Sequence, residues 1–230
     1  MKIALIGYGK MGQMVDKAAQ RRGHQIIARI NSSQWEASAL KDADLCIEFT
    51  SPESAIGNIK RVVELGIPIV IGTTGWYDNI DEVKSLIDRH HSAAVYTPNF
   101  SVGIQIWLQI LSNASKIINS FDSYEAAGFE HHHSQKLDSP SGTALEMAKL
   151  VEKEIDRLQQ LPISSLRCGS IPGTHSLLFD SNCDQIAITH TARNREGFAA
   201  GSITAAEWLI GKRGLFSFTD CIKEMIKEGS

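Results

Sequence analysis

The sequence lacks the features of secreted, membrane-spanning and nucleic-acid-binding proteins. Only four cysteines occur in 230 residues, and they show neither CxxC pairs nor zinc-ligand spacing. No apolar stretch approaches the length of a membrane span. The net charge of −3 provides little attraction for nucleic acid or an acidic membrane. The first residues predict a short strand and not a signal peptide, so we expect a cytoplasmic protein with no nucleic-acid or membrane partner.

The first part of the chain alternates apolar, strand-like runs with amphipathic, helix-like stretches. Strands are predicted at residues 2–6, 25–30, 44–49, 67–71 and 93–96, and helices at residues 11–22, 52–65 and 80–90. Strands separated by helices of this length form βαβ units with a parallel sheet. A hydrophobic content of 43% and a charged content of 21% fit a globular protein of this α/β class.

The pattern changes near residue 103. Helices are predicted at residues 103–118, 144–158, 202–210 and 219–227, with a strand at 124–130 and a β-rich stretch at 168–191. This order predicts a first domain at residues 1–102 and a smaller α+β domain at residues 103–202. We expect the final helical region, residues 203–230, to return to the first domain.

A glycine-rich motif follows the first predicted strand and opens the first predicted helix. It consists of Gly7, Tyr8, Gly9, Lys10, Met11 and Gly12. In this context GxGxxG is the dinucleotide-binding fingerprint. The first glycine permits a tight turn, the second lets the backbone approach a pyrophosphate, and the third allows close helix–sheet packing. The N–H groups at the helix start then face the phosphate charge.

Cofactor preference is set near the end of the second strand, where an acidic residue that binds the ribose 2′-OH favours NAD. Asn31 lies there, and no carboxylate accompanies it in the 29–33 segment. Lys10 adds a cation in the first helical turn, where the helix dipole disfavours one unless a phosphate is bound. Lys10 and Arg29 could equally be solvated surface charges. We therefore expect NADPH, NADH or both as cofactor.

Residues 130–144, EHHHSQKLDSPSGTA, hold the most reactive side chains. Three consecutive histidines raise the possibility of zinc, but no second Cys or His pair lies near them in the sequence, so no metal is expected. The alternative is a proton-transfer site in which a histidine titrates near neutral pH and Lys136 supplies a cation. The amides of Ser141, Gly142 and Thr143 begin a helix after Pro140 and could bind a carboxylate, although plain helix capping would use the same sequence.

The run from His132 to Ala144 resembles the HHxxKxDAPSGTA signature of 4-hydroxy-tetrahydrodipicolinate reductases. Further family-like segments occur in the expected order, at residues 7–12, 48–53, 72–75, 98–103 and 189–201, so the resemblance spans nearly the whole chain. Two departures are Ser139, where alanine is usual, and Asn31, where an acidic residue often binds the ribose.

The resemblance implies a Rossmann-type NAD(P)H-binding domain, a mixed-sheet domain for substrate binding and oligomerisation, and a homotetramer. It implies reduction of a cyclic dicarboxylate to tetrahydrodipicolinate in lysine and diaminopimelate biosynthesis. His132 resembles the catalytic acid/base and Lys136 the proton donor, while His133, Gly142 and Thr143 resemble substrate contacts. Two loops resemble those that hold the nicotinamide end of the cofactor, namely Gly72, Thr73 and Thr74, and Thr97, Pro98, Asn99 and Phe100.

Two other functions are compatible with the fold class. One is a different two-domain Rossmann dehydrogenase, and the other is a non-catalytic NAD(P)-binding regulatory protein. The histidine–lysine motif argues against both, because a sensor needs no acid beside an anion-binding helix start. Fold class alone could not distinguish these functions.

Overall fold

The computed structural model describes residues 1–32 and 34–228. The chain forms two compact units, one of Met1–Ser101 with Glu196–Ser230 and the other of Val102–Arg195. The second unit therefore ends at Arg195, whereas the sequence predicted that it ends at residue 202. The whole region after Arg195, including its first helix, lies in the first unit.

The first unit is an α/β fold built on a parallel sheet. Its strands are β1 Lys2–Ile6, β2 Gln25–Ile30, β3 Leu45–Glu48, β4 Ile69–Ile71, β5 Ala93–Tyr96 and β10 Gly214–Ser217. Its helices are α1 Lys10–Arg21, α2 Pro52–Glu64, α3 Ile80–Arg89, α6 Glu196–Leu209 and α7 Phe218–Glu228, with short 3₁₀ turns at Ala37–Leu40 and Tyr77–Asn79. The strands lie in the order β10-β5-β4-β3-β1-β2, and every pair is parallel. The predicted Rossmann-type architecture is confirmed.

The central strands of this sheet are buried on both faces. All residues of β3 and β4 are inaccessible or nearly so, as are Ile3 to Ile6 of β1. Continuous apolar strands of this kind are typical of parallel sheets that helices cover on both sides. Because the sheet is parallel, the loops after β1, β3 and β4 all leave from the same edge, where ligands of such folds bind.

Two elements of the first unit were not predicted correctly. The edge strand β10 was missed because four residues with no alternating pattern carry too weak a signal. The helix α6 begins at Glu196, whereas the predicted helix began at residue 202. Its first turns were missed because Gly197 and Gly201 lower their helical propensity. Gly201 has a packing role, because a Cβ there would lie 1.7 Å from the backbone oxygen of Phe100.

The second unit is a mixed four-stranded sheet with two helices on one face. Its strands are β6 Glu125–His132, β7 Ile163–Arg167, β8 Thr174–Asp180 and β9 Gln185–Thr191, and its helices are α4 Val102–Asn119 and α5 Gly142–Glu154. The strand order is β7-β6-β8-β9, with β6 parallel to β7 and antiparallel to β8. The largely exposed edge strand β7 was not predicted, and α5 ends four residues early at Glu154, where Ile155 becomes extended.

The core of this second unit lies between the sheet and its two helices. It includes Leu111 of α4, Met147 and Val151 of α5, and Leu177 and Phe179 of β8. Residues of β6 alternate between this core face and the opposite, more open face. Among residues 1–32 and 34–228, no helix combines the length and the apolar character required to cross a bilayer.

Candidate active site

The three glycines of the loop between β1 and α1 have distinct surroundings. Gly7 adopts a φ of +94°, and a Cβ there would lie 1.9 Å from the backbone oxygen of Phe49. A Cβ on Gly12 would lie 2.1 Å from the backbone oxygen of Gly7. A Cβ on Gly9 would meet nothing within 4 Å. The outer glycines are thus required by the fold, whereas the open space at Gly9 suits a ligand approaching the backbone.

A pocket of about 350 Å³ lies beside this loop. Its size falls in the range of small-molecule and cofactor sites. The predicted cofactor residues that line it are Gly9, Lys10, Met11, Gly72, Thr73 and Thr74. Phe49, Thr50 and Pro52 also line it, although the sequence had not indicated them as cofactor contacts. Helix α1 begins at this pocket with no side-chain cap and no acidic residue in its first turn, so its N-terminus suits a phosphate.

A buried carboxylate lies directly below the loops that line this pocket. Glu48, at the end of β3, is fully buried and accepts hydrogen bonds from the backbone N–H and hydroxyl of Thr50. The N–H of Thr50 also donates to the hydroxyl of Thr73 at 2.7 Å. Burial raises the pKa of Glu48, and hydrogen bonds with Thr50 and Thr73 oppose that rise. Thr50, which bonds both Glu48 and Thr73, therefore joins the two loops after β3 and β4.

The loop that contains Thr97, Pro98, Asn99 and Phe100 is not among the residues lining this pocket. Thr97 and Asn99 bond to each other, and the side chain of Asn99 accepts from the N–H of Ser101 at 2.9 Å. The ring of Phe100 is buried against Phe49 and Phe218, so its side chain serves the core. The expected cofactor contact of Phe100 stays a prediction.

Asn31 follows β2 and lies against the glycine loop. Its side-chain oxygen accepts a hydrogen bond from the N–H of Tyr8 at 3.3 Å. The N–H of Gly7 donates to the backbone oxygen of Ile30 at 2.8 Å, which fixes the end of β2 beside the loop. Asn31 therefore occupies the position from which a side chain could contact an adenosine ribose.

In the second unit, β6 and the loop after it carry the histidine–lysine motif. β6 ends at His132, which is buried, while His133 lies beyond the strand and is half-buried. Lys136 forms an ion pair with Asp138, because its Nζ lies 2.7 and 2.9 Å from the two carboxylate oxygens of that residue. The pKa of Asp138 is lowered by Lys136 and, to a smaller extent, by a hydrogen bond from the N–H of Gly142. A carboxylate of the loop thus lies between Lys136 and the start of α5.

The predicted carboxylate-binding amides are not equivalent. The N–H of Ser141 donates to Oε1 of Glu130 at 3.1 Å, and its hydroxyl caps α5 by accepting from the N–H of Ala144. Ser141 is also almost fully buried, and its expected contact with substrate stays a prediction. Gly142 is exposed and Thr143 half-buried at the first turn of α5. These two residues remain the candidates for contact with an anion.

Glu130 is the centre of a buried polar network. Its Oε1 accepts from Arg167 at 2.6 Å and from Ser165 at 2.7 Å, in addition to Ser141. Burial would raise the pKa of Glu130, but these donors, with Arg167 foremost, lower it to about 2. The register of the sheet creates the network, because Glu130 lies opposite His175 on β8 and His132 lies opposite Arg167 on β7.

The ring of His132 completes this network. Its Nδ1 lies 2.7 Å from Oε2 of Glu130, outside the alignment of a linear hydrogen bond. The ring of His175 packs edge-on against it, with the ring centres 5.0 Å apart. Burial lowers the pKa of His132, and Lys136 and Arg167 lower it further, while Glu130 raises it. Burial lowers the pKa of His175 to about 4, so that ring is neutral at physiological pH.

These side chains also have the composition of a metal site. Glu130, His132 and His175 each offer one ligand-type atom, and these atoms lie within 4.8 Å of one another. However, Arg167 already binds Glu130, and Lys136 adds a second positive charge near His132. Both would repel a divalent cation. The arrangement is therefore better suited to holding and moving protons.

Several residues of this site were missed by sequence reasoning. Glu130 could have been identified, since residues two apart on a strand share a face. Arg167 and His175 could not, because only the pairing of β6 with β7 and β8 brings them to His132. Asp138 lies inside the motif, but its contacts with Lys136 and with the N–H of Gly142 depend on the turn of the backbone before α5.

The fold and the site define a Rossmann-type dinucleotide-binding protein with a second unit that carries a buried glutamate–histidine–arginine network beside a lysine–aspartate pair. Residues 1–100 match the family described as "Dihydrodipicolinate reductase, N-terminus", and residues 103–222 match "Dihydrodipicolinate reductase, C-terminus". The chain therefore belongs to the dihydrodipicolinate reductase family, as its motifs predicted.

Individual relatives agree with this assignment. The chain is 35% identical to a 4-hydroxy-tetrahydrodipicolinate reductase of Christiangramia forsetii, over 99% of this chain and 100% of that one. It is 30% identical to one of Acinetobacter baumannii, over 92% of each chain. The solved structure of a dipicolinate-bound dihydrodipicolinate reductase from Paenisporosarcina sp. TG-14 is similar with a TM-score of 0.82 and 19% identity, covering 96% of this chain and 99% of that one. That likeness supports the fold.

Proposed function

We propose that this chain is an NAD(P)H-dependent reductase that forms tetrahydrodipicolinate from its hydroxylated cyclic precursor, in lysine and diaminopimelate biosynthesis. The observation that carries the proposal is the motif from His132 to Thr143, on a chain whose relatives of this name match over nearly their full length. The first unit, with the glycine loop and its pocket, is the dinucleotide-binding domain. The second unit is the substrate-binding and oligomerisation domain.

The nicotinamide cofactor would supply the hydride, and the protein must manage the charge that results. The hydroxylated precursor first loses water, and hydride delivery to the resulting unsaturated ring leaves negative charge that an acid must neutralise. His132 and Lys136 are the groups able to donate a proton there. His132 exchanges a proton through its Nε2, since its Nδ1 faces Glu130. Lys136 contributes a cation that also attracts the dianionic substrate.

One substrate carboxylate is proposed to bind Lys136 and the first turn of α5, at Gly142 and Thr143. The contact between Lys136 and Asp138 supports this placement, because a carboxylate already lies between the lysine and the helix start. A helix N-terminus with a nearby lysine is well suited to a second carboxylate in the same position. His133 is proposed as a further substrate contact. Binding would require Asp138 to release Lys136.

We also propose that the protein acts in the cytoplasm as a homotetramer, as the family resemblance implies. The open face of the second unit's sheet supports association, because Phe129 and the neighbouring Leu166 are 37% and 49% exposed there. Exposed apolar sheet faces of this kind commonly mark protein interfaces. Sedimentation of the purified chain tests this proposal.

The function is tested by coupling the purified protein to the upstream synthase, which generates the unstable substrate in place. Oxidation of NADPH or NADH should depend on both enzymes and on the synthase substrates. Omitting the synthase is the matched control, and it should abolish turnover. If cofactor oxidation is absent with the complete mixture although the protein binds NADPH, the chain is a non-catalytic binding protein.

A further inference from the structure

The proposed reaction makes no direct use of the most buried carboxylate in the second unit. Glu130 has an exposure of 0%, and its Oε1 is hydrogen-bonded, whereas its Oε2 lies close to His132 without the alignment of a linear hydrogen bond. Oε1 accepts from Arg167, Ser165 and the N–H of Ser141, while Oε2 faces Nδ1 of His132. The carboxylate therefore links a strong cation on one side to the acid–base histidine on the other.

We propose that Glu130 is the positioning residue of His132. It fixes the proton of the neutral ring on Nδ1, which leaves Nε2 to exchange protons. Its negative charge also stabilises the protonated ring. The direction in which Nε2 transfers its proton rests on the proposed function. The positioning itself follows from the contacts within the second unit. Arg167 supports it by keeping the carboxylate in place and ionised.

The distance between Glu130 and His132 determines the tautomer. With a pKa of about 2, Glu130 is a carboxylate at neutral pH and can only accept hydrogen bonds. Two acceptor atoms held 2.7 Å apart would repel each other, so a proton on Nδ1 of His132 stabilises the contact even without linear alignment. In the neutral ring Nε2 then holds a lone pair, and in the protonated ring Nε2 becomes the donor.

The surroundings of Nε2 are consistent with this role. Gly173 has a φ of +149°, and a Cβ built on it would lie 3.1 Å from Nε2 of His132. Only a glycine leaves that side of the ring without a side chain. His132 itself is only 7% exposed, so proton exchange with bulk water is restricted.

The charges around His132 predict the sign of the effect. Among the groups facing it, Glu130 of β6 raises the pKa of His132, whereas Lys136 of the following loop and Arg167 of β7 lower it. His175 of β8 is neutral and adds no charge at physiological pH. A histidine that donates a proton loses its function as the pH rises through its pKa. Loss of the Glu130 charge should therefore move that decline to lower pH.

The test uses Glu130→Gln, with Glu154→Gln as the matched control. Glu154 is a partly buried, hydrogen-bonded carboxylate of the same unit that bonds Ser112 of α4. The full-length chain is labelled with ¹⁵N-histidine, and the ring of His132 is titrated by NMR without substrate. Glu130→Gln should lower its pKa by roughly 1–2 units and remove the preference for a proton on Nδ1, whereas Glu154→Gln should change neither.

The kinetic counterpart is the pH profile of kcat in the coupled assay. Glu130→Gln should lower kcat at neutral pH by about tenfold or more, with the KM for NADPH nearly unchanged. If Glu130→Gln does not fold, Glu130→Asp provides a second test, since the shorter side chain withdraws the carboxylate from Nδ1 and should lower the pKa of His132 in the same direction. An unchanged His132 titration and tautomer in Glu130→Gln, or an equal change in Glu154→Gln, would overturn the proposal. Because the NMR titration needs no substrate, failure of the proposed reaction would be recognised separately, as absent turnover in the parent protein.

Discussion

The guanidinium of Arg29 is held by the buried carboxylate of Asp16, with 2.7 Å between Nε of the arginine and Oδ2 of the aspartate. The hydroxyl of Tyr8 donates to the same carboxylate at 2.6 Å, and Arg29 lies over the tyrosine ring. Burial would raise the pKa of Asp16, but hydrogen bonds from Arg29, Tyr8 and Gln20 leave it lowered. Arg29 is exposed, as the sequence allowed, but its guanidinium is fixed by Asp16 close to the predicted ribose site.

This arrangement predicts that NADPH is accepted at least as well as NADH. Asn31 provides no carboxylate to repel a 2′-phosphate, and Lys10 contributes positive charge at the glycine loop. Asn31→Asp should lower the ratio of kcat/KM for NADPH to that for NADH by about tenfold, equivalent to about 1.4 kcal/mol. Asn113→Asp, the same change on an exposed position of α4, is the control. A parent protein that prefers NADH by about tenfold would contradict this interpretation of Asn31.

The glycine loop predicts different defects at two positions of one motif. Gly9→Ala should fold normally, since a Cβ there meets nothing within 4 Å, yet it should weaken NADPH binding by about tenfold or more. Gly12→Ala should lower the melting temperature, because its Cβ would lie 2.1 Å from the backbone oxygen of Gly7. Thermal unfolding and cofactor titration separate the two effects. Normal NADPH affinity in Gly9→Ala would place the pyrophosphate elsewhere.

Asp138 is predicted to compete with the substrate for Lys136. Asp138→Asn removes the charge with little change of shape, so the dianion pyridine-2,6-dicarboxylate should bind the variant several-fold more tightly. Asp122→Asn is the control, because Asp122 is 96% exposed and contacts only Arg157 at 3.8 Å among the ion pairs of the described residues. Calorimetric titration measures both variants. Weaker binding to Asp138→Asn would mean that Asp138 holds Lys136 in its active position.

His132 and Lys136 are predicted to act in turnover and not in folding. His132→Gln and Lys136→Met should lower kcat by about 10²–10⁴-fold, the usual contribution of general acid–base catalysis. Cofactor affinity and melting temperature should stay near those of the parent, and Lys136→Met should also raise the KM for the dicarboxylate. Near-parental kcat of His132→Gln across the pH range would remove the histidine from the mechanism.

The first unit was largely predictable because its signals are local. Its apolar strands, amphipathic helices and glycine turns each have a characteristic period or composition. The prediction failed at β10, whose four residues show no hydrophobic period. It also failed at the first turns of α6, where two glycines lower the helical propensity. Gly201 is a glycine for a reason outside its own helix, namely the backbone oxygen of Phe100.

The active site was predictable only as far as one continuous motif extends. His132 and Lys136 lie within that motif, but what surrounds them is set by strand pairing. His175 lies 43 residues from His132 in the sequence and faces Glu130 only through the antiparallel pairing of β6 with β8. Likewise, the N–H of Ser141 is occupied because the turn before α5 brings it to Glu130. Such contacts have no local sequence signal.

The central claim is that this chain transfers hydride to a cyclic dicarboxylate, and label transfer tests it most directly. The purified protein and the upstream synthase are supplied with NADPH deuterated at C4 of the nicotinamide, and each C4 stereoisomer is used in turn. The product is analysed by mass spectrometry. One stereoisomer should yield tetrahydrodipicolinate carrying a single deuterium, and His132→Gln should slow its formation. Oxidation of the cofactor without deuterium in the product from either stereoisomer would contradict hydride transfer to the dicarboxylate.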